Sequence, residues 1–338
     1  MTTQPLPESL SEDAGWLAQA IDPPTGAIRF VEMDRASYRA SNFLDDRIFQ
    51  HPVKAVLCSL DEAARAMDVE LRRDARWIFH IGHVGSTLVA RLLGEINGVL
   101  CIREPRILRD VAVLDPSERQ ALMPAIQRLL SRTFAKGETA LVKATSFVSE
   151  IAPELVPEGE RALFLFEAPR TYIESILAGE NSRKELRMLA DIRAQRMAQR
   201  VHGLSRADRS DAHLAAAAWA CEMTSLEAAA DAMPDRRLLW AKFDSMLDDM
   251  SSSLQQLADF FAFDATEEDL RKLAAGPLMQ RYSKALEYEY SPALRRELLA
   301  EAGQAHRAEI DQAIAMLTDA AGNSPLLARA MSRAEPER

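Results

Sequence analysis

Arg76-Trp-Ile-Phe-His-Ile-Gly-His-Val-Gly-Ser-Thr-Leu-Val-Ala-Arg-Leu-Leu93 changes structural period in mid-course. Trp77 to Ile81 is a continuous apolar run apart from His80, the pattern of a strand buried on both faces. Glycines at 82 and 85 mark a tight loop, and Ser86-Thr87 open a helix predicted to run to about Ile96. A helix start carries unpaired backbone N–H groups and a partial positive charge, which together form an anion site. The glycines let the backbone approach a phosphate closely, and the Ser86 and Thr87 hydroxyls can donate to it. An ordinary strand-to-helix turn with a Ser/Thr cap is the competing reading. The loop lacks the lysine of G-x-x-x-x-G-K-[ST], which counts against a metal-assisted ATPase and leaves magnesium unexpected.

Four further apolar runs follow: Val99–Ile102, Ala140–Val142, Ala162–Phe166 and Leu238–Ala241. Helical stretches separate most of them, and such alternation indicates a doubly wound α/β core with a parallel sheet of about five strands. Ligands of such cores bind at the carboxyl ends of the strands, which places Gly82, Arg103-Glu104, Lys143 and Glu167 along one rim. Before the core, residues 1–75 read as an irregular, partly helical lead-in. It contains a turn at Pro23-Pro24-Thr25-Gly26, a short strand over Ala27–Met33 and an amphipathic helix over Leu60–Leu71. Beyond the core, Asp211–Met233 is an alanine-rich helix. Thr266-Glu267-Glu268-Asp269 is a capping box whose helix closes near Gly276-Pro277, and residues 293–334 hold two helices. The domain reading is a lead-in over 1–75, an α/β core over 76–265 and a helical extension over 266–338.

The bulk numbers bound the function. At 338 residues, 48 % apolar and 27 % charged, the chain has the composition of a globular protein. Its net charge of −10 disfavours a nucleic-acid partner while leaving room for a local basic pocket. No apolar run reaches the ~20 residues of a membrane span, and the N-terminus has no secretory pattern, so a cytoplasmic protein is expected. Three scattered cysteines suggest neither a disulfide framework nor a zinc site, Cys101 reading as core. The six histidines show no metal-ligand spacing, so no metal is expected.

Val84-Gly-Ser-Thr-Leu-Val89 resembles the 5′-phosphosulfate loop of the sulfotransferase superfamily. Gly85, Ser86 and Thr87 match position by position. That resemblance implies a P-loop, nucleoside-kinase-like fold. It also implies transfer of a sulfuryl group from 3′-phosphoadenosine 5′-phosphosulfate (PAPS) to a hydroxyl or amine, with Gly82, His83, Val84, Gly85, Ser86 and Thr87 cradling the donor. His83 stands where the family has arginine or lysine, implying a pH-dependent phosphate contact; a satisfied loop histidine is the alternative. Gly98-Val-Leu-Cys-Ile-Arg-Glu-Pro-Arg is similar to a segment of tyrosylprotein and related bacterial sulfotransferases, which makes Glu104 the general base. A carboxylate paired with Arg103 or Arg106 is the other reading. Thr139-Ala-Leu-Val-Lys-Ala-Thr resembles the third-strand segment, implying that Lys143 stabilises the transferred group rather than closing an end-of-strand salt bridge.

Leu163-Phe-Leu-Phe-Glu-Ala-Pro-Arg-Thr-Tyr-Ile-Glu-Ser resembles the 3′-phosphate segment, with Pro169 and Ser175 in register. Glu167, however, replaces the arginine, and a carboxylate there repels a phosphate. Arg170 or Arg183 is the substitute to look for, and Ser175 an expected donor contact. Arg281 and Lys284 occupy the place of a late basic loop and are further phosphate candidates, an exposed basic turn being the competing reading. The resemblance spans roughly residues 76–290 and names no acceptor. An ATP-dependent phosphotransferase of the same fold, or a non-catalytic nucleotide- or peptide-binding member, is the rival function.

Overall fold

The computed structural model describes residue 10 and residues 13–66, 72–204, 210–281 and 291–335. The chain opens not with an irregular lead-in but with a sheet of its own. Strands β1 (Trp16–Asp22), β2 (Ala27–Glu32) and β3 (Ala55–Ser59) pair antiparallel in the order β1-β2-β3. The expected turn joins the first two: the Gly26 amide donates to the Asp22 carbonyl at 2.9 Å, and its φ of 62° suits a residue without a Cβ. Strand β1 escapes sequence reading because it carries a buried polar residue. Gln19 is fully buried and satisfied by Arg29 Nε at 2.8 Å, which breaks the apolar pattern. A helix follows over Leu60–Ala66; the rest of the helix expected to Leu71 lies outside the described residues.

The core sheet agrees with expectation. Strands β4 (Arg76–His80), β5 (Val99–Arg103), β6 (Thr139–Lys143), β7 (Arg161–Phe166) and β8 (Arg237–Lys242) run parallel in the order β5-β6-β4-β7-β8. The five apolar runs become these strands, and intervening helices provide crossovers between parallel neighbours. Helix Ser86–Gly94 is buried along its whole length, and a Cβ on Gly94 would come within 2.8 Å of Cys101 Cβ on β5. Cys101 is accordingly a core residue, its thiol pushed up by burial.

Helix Asp211–Asp231 is the buried spine of the helical side. Its interior glutamates are paired from neighbouring helices, Glu222 with Arg196 at 2.9 Å and Glu227 with Arg329 at 2.7 Å and Arg333 at 2.6 Å. Thr266 caps Glu267–Ala274, its hydroxyl accepting from the Asp269 amide, as the capping box predicts. The C-terminal region holds three helices rather than two: Pro292–Ala305, Arg307–Ala321 and Pro325–Ala334. His306 leaves the helical backbone at ψ 19°, three residues after Gly303. Among the described residues, no helix is long and apolar enough to cross a membrane.

Candidate functional site

The loop after β4 turns through three left-handed residues, Gly82 (φ 80°), His83 (φ 53°) and Gly85 (φ 63°). His80 starts the turn by accepting the Gly82 amide on Nδ1 at 3.0 Å. Gly82 is a glycine for conformation alone, since a Cβ there would meet only Ser146 Oγ at 3.6 Å. Gly85 is glycine for a second reason, different from the one its sequence suggests. The Phe243 ring lies against it, and a Cβ would fall 1.9 Å from that ring. Here the small residue admits a ring from the end of β8. Val84 points into the core and is fully buried, so of its groups only the main chain can serve a ligand.

Helix Ser86–Gly94 begins at Gly85 with no side-chain cap. The Thr87 hydroxyl, on a residue only 2 % exposed, has no hydrogen-bond partner among the described residues. An unmade hydrogen bond on a buried hydroxyl costs about 1–3 kcal/mol. An anion at the loop would satisfy it together with the first-turn amides, so the residues present fit a phosphate.

On one flank of the loop, β5 and β6 end in a charged cluster. Glu104, one residue past β5, adopts a left-handed φ of 50° while its amide donates to the Lys143 carbonyl at 2.7 Å. Such a backbone in a non-glycine residue persists only where its surroundings hold it. Its carboxylate is ion-paired through Oε1 with the Lys143 ammonium, whose side chain is 1 % exposed. His80 Nε2 stands 4.0 Å from the same oxygen, and Arg109 Nη2 lies 3.6 Å from Oε2. With Nδ1 accepting from Gly82, the neutral His80 ring carries its proton on Nε2, facing the carboxylate. The N-terminal segment roofs this cluster. The Leu44 amide donates to the Arg103 carbonyl at 2.8 Å, Arg103 donates to the Ser41 carbonyl at 2.9 Å, and the Phe43 ring centroid lies 5.8 Å from Lys143 Nζ.

On the other flank, Glu167 follows β7. Both of its carboxylate oxygens are engaged by the main chain: Oε1 accepts from the Ala168 amide at 2.9 Å and Oε2 from the Asp244 amide at 2.8 Å. Burial, with the charge of Asp244, pushes its carboxyl up to about 7. Of the two arginines expected to replace the missing cation, Arg183 stands half-buried near the start of helix Glu180–Met197, next to Ser182. Arg170 is exposed and paired with Asp311 at 2.6 Å. The Ser175 hydroxyl donates to the Tyr172 carbonyl of its own helix at 2.8 Å. His83 turns toward the β7-side helices, with Nδ1 3.4 Å from Ser182 Oγ and its ring edge-on to Tyr172. Arg281 is exposed, directly after a turn, Pro277–Gln280, that packs on helix Ser86–Gly94. Lys284 lies outside the described residues.

The structure thus brings Glu104, Lys143 and the 82–87 loop to one rim and adds His80, Arg109 and Phe43, which the sequence reading did not assign. A histidine ending an otherwise apolar buried strand was the available signal for His80. Nothing local marks Phe43. Among the described residues, no group of His, Cys, Asp or Glu is disposed to hold a metal ion. A cavity of about 290 Å³ lined by Arg73, Met123, Gln127 and Glu154 lies by the amino end of β4, away from this rim.

No protein-family model matches the chain, and no curated protein matches it. Three similar solved structures are sulfotransferases. A sulfotransferase domain from the curacin biosynthetic pathway is 14 % identical, covering 74 % of this chain and 99 % of its own, with a TM-score of 0.43. A mouse sulfotransferase complexed with PAP is 12 % identical over 83 % of this chain and 98 % of its own, with a TM-score of 0.41. A sulfotransferase domain of the Synechococcus PCC 7002 olefin synthase is 16 % identical over 68 % and 89 %, with a TM-score of 0.36.

Proposed function

We propose that this chain is a sulfotransferase-like transferase that moves a sulfuryl group from a nucleotide phosphosulfate, the donor class to which PAPS belongs, to a hydroxyl or amine. The observation that carries this reading is a juxtaposition. An uncapped helix start with a buried, unpartnered Thr87 hydroxyl shares one sheet rim with a carboxylate and an ammonium. In this reading the 82–87 amides and Thr87 hold the donor's 5′-phosphate. Lys143 fixes Glu104 Oε1, which leaves Oε2 to take the acceptor's proton as its oxygen or nitrogen attacks sulfur. The bond from sulfur to the bridging phosphate oxygen breaks in line, and the loop amides with Lys143 stabilise the charge left on the phosphate. Positioning and charge stabilisation supply most of the acceleration.

The test is a thermal-shift series with adenosine 3′,5′-bisphosphate, PAPS, adenosine 5′-phosphosulfate and ATP-magnesium. A ligand at 100 times its dissociation constant adds about 2.7 kcal/mol of stability, an easily read shift. Stabilisation by a phosphosulfate or its product nucleotide supports sulfuryl transfer. Stabilisation by ATP-magnesium alone would move the reading to phosphotransfer, and no response to any of them would remove it.

A further inference from the structure

In the proposed reaction the loop amides and Thr87 serve the phosphate, and Lys143 is paired with Glu104. The oxygens of the sulfuryl group itself still lack a dedicated donor. The chain beyond β6 carries one. The Ala144 amide donates to the Ile78 carbonyl at 3.0 Å, so the bonding of β6 to β4 continues past Lys143, and Thr145 stays extended at φ −78° and ψ 155°. Alternate residues of an extended chain share a face, which puts Thr145 on the face of Lys143. Ser146, next in sequence, abuts the first residue of the loop: its Oγ stands 3.6 Å from where a Cβ on Gly82 would lie. Thr145 therefore lies between the ammonium and the start of the phosphate loop.

Its hydroxyl is as idle as that of Thr87. The residue is only 6 % exposed, and Oγ1 has no hydrogen-bond partner among the described residues. Thr145 occupies the N-cap of the short helix Ser146–Ile151, where a threonine hydroxyl ordinarily accepts a first-turn amide, yet it makes no cap bond. Only its carbonyl is used there, accepting from the Val148 amide at 3.0 Å. A buried hydroxyl left unpaired costs free energy that a ligand atom can recover. We propose that Thr145 is a further catalytic residue, its hydroxyl donating to an oxygen of the sulfuryl group in the bound donor and during transfer. The proton stays on Oγ1 throughout, while sulfur exchanges its bond to the bridging phosphate oxygen for one to the acceptor. The proposal rests on the loop holding the 5′-phosphate of a phosphosulfate. Thr87 and Thr145 then divide the donor between them, one for the phosphate and one for the sulfuryl group.

Isothermal titration of the full chain with two nucleotide pairs tests it: AMP against adenosine 5′-phosphosulfate, and adenosine 3′,5′-bisphosphate against PAPS. Within each pair the nucleotides differ by the sulfuryl group alone, so their affinity ratio reads the contacts to that group. Thr145→Val keeps the shape of the side chain and removes the hydroxyl. In whichever pair the wild type binds, the variant should bind the phosphosulfate about tenfold more weakly and leave the sulfur-free nucleotide within about twofold of wild type. Thr145→Ser keeps a hydroxyl and should keep the wild-type ratio. A ratio unmoved in Thr145→Val overturns the proposal while the loop reading stands. So does a variant that weakens both members of a pair equally or no longer folds, because the hydroxyl would then serve the protein rather than the sulfuryl group. A wild type that binds the sulfur-free nucleotides but neither phosphosulfate overturns it as well. Failure of all four nucleotides to bind removes the loop reading and this proposal together.

Discussion

Glu104 and Glu167 occupy equivalent places on opposite flanks of the loop. Each is a buried glutamate one residue beyond a strand of the same parallel sheet, Glu104 after β5 and Glu167 after β7. Their surroundings oppose one another. Glu104 is surrounded by cationic and imidazole groups, with Lys143 on one oxygen, Arg109 toward the other and His80 alongside. Glu167 is held by two main-chain amides and faces another carboxylate, which helps to push its titration up to about 7. The position after a strand therefore sets reach, and the neighbours set chemistry. A carboxylate flanked by cations on a ligand-facing rim can accept a proton in a reaction, whereas one engaged by amides is a cap for the helix that follows β8.

The largest expected consequence of that contrast is catalytic. Glu104→Gln keeps an acceptor for Lys143 but cannot take a proton, so turnover should fall about 10²–10⁴-fold. Donor-nucleotide affinity should be unchanged in calorimetry. Full turnover in this variant would sink the base assignment, and with it the functional contrast between the two glutamates.

Next comes stability on the same flank. Lys143→Met leaves the Glu104 carboxylate without its buried partner, a class of change that costs about 3–5 kcal/mol. Arg109, 44 % exposed on its side chain, offers only weak compensation. In urea titrations the single variant should lose about 3 kcal/mol, and the double variant Glu104→Gln/Lys143→Met should recover most of it. A loss below about 1 kcal/mol in the single variant would mean the pair is not a buried unit.

Much of this arrangement is legible in the sequence because continuous apolar runs and a glycine pair are local signals. Ala162–Phe166 announces a buried parallel strand, and the strand ends then locate Glu104, Lys143 and Glu167. What stays hidden depends on residues far apart in the chain. Asp311 takes Arg170 from 141 positions away, and nothing near Arg170 foretells it. Phe243 gives Gly85 its steric reason from the end of the last strand. The first sheet is masked by buried Gln19, and the roof of Phe43 and Leu44 over Lys143 has no local signature. Ser175 illustrates a different limit. Its register matches the family's serine, yet its hydroxyl is engaged within its own helix.

The Glu167 flank makes its own prediction through pH. Its folded carboxyl titrates near 7 against an ordinary 4.5. Below pH 4.5 the group is protonated in both states, and its contribution is fully present. As pH rises from 4.5 through 7 the unfolded chain ionises first, so folded stability is lost across that window, on the order of 2–3 kcal/mol. The difference in unfolding free energy between wild type and Glu167→Gln should therefore change by that amount between pH 5 and pH 8, the variant gaining relative to wild type. A difference constant with pH would show that Glu167 ionises freely, and the two flanks would no longer differ electrostatically.

The smallest effect lies at the loop between the flanks. Thr87→Val keeps the shape of the side chain and removes a hydroxyl that has no partner among the described residues. Removing an unpaired buried donor should leave ligand-free stability within about 0.5 kcal/mol of wild type, or raise it slightly. The same change should weaken AMP about tenfold, because a hydrogen bond to a charged phosphate contributes roughly 1.5 kcal/mol at its lower bound. The two measurements pull apart only if the hydroxyl is reserved for a ligand. A Thr87→Val protein that loses stability without ligand yet binds AMP as before would make Thr87 a helix-start residue and nothing more. The anion would then rest on main-chain amides alone, and neither flank could be assigned an end of the donor through Thr87.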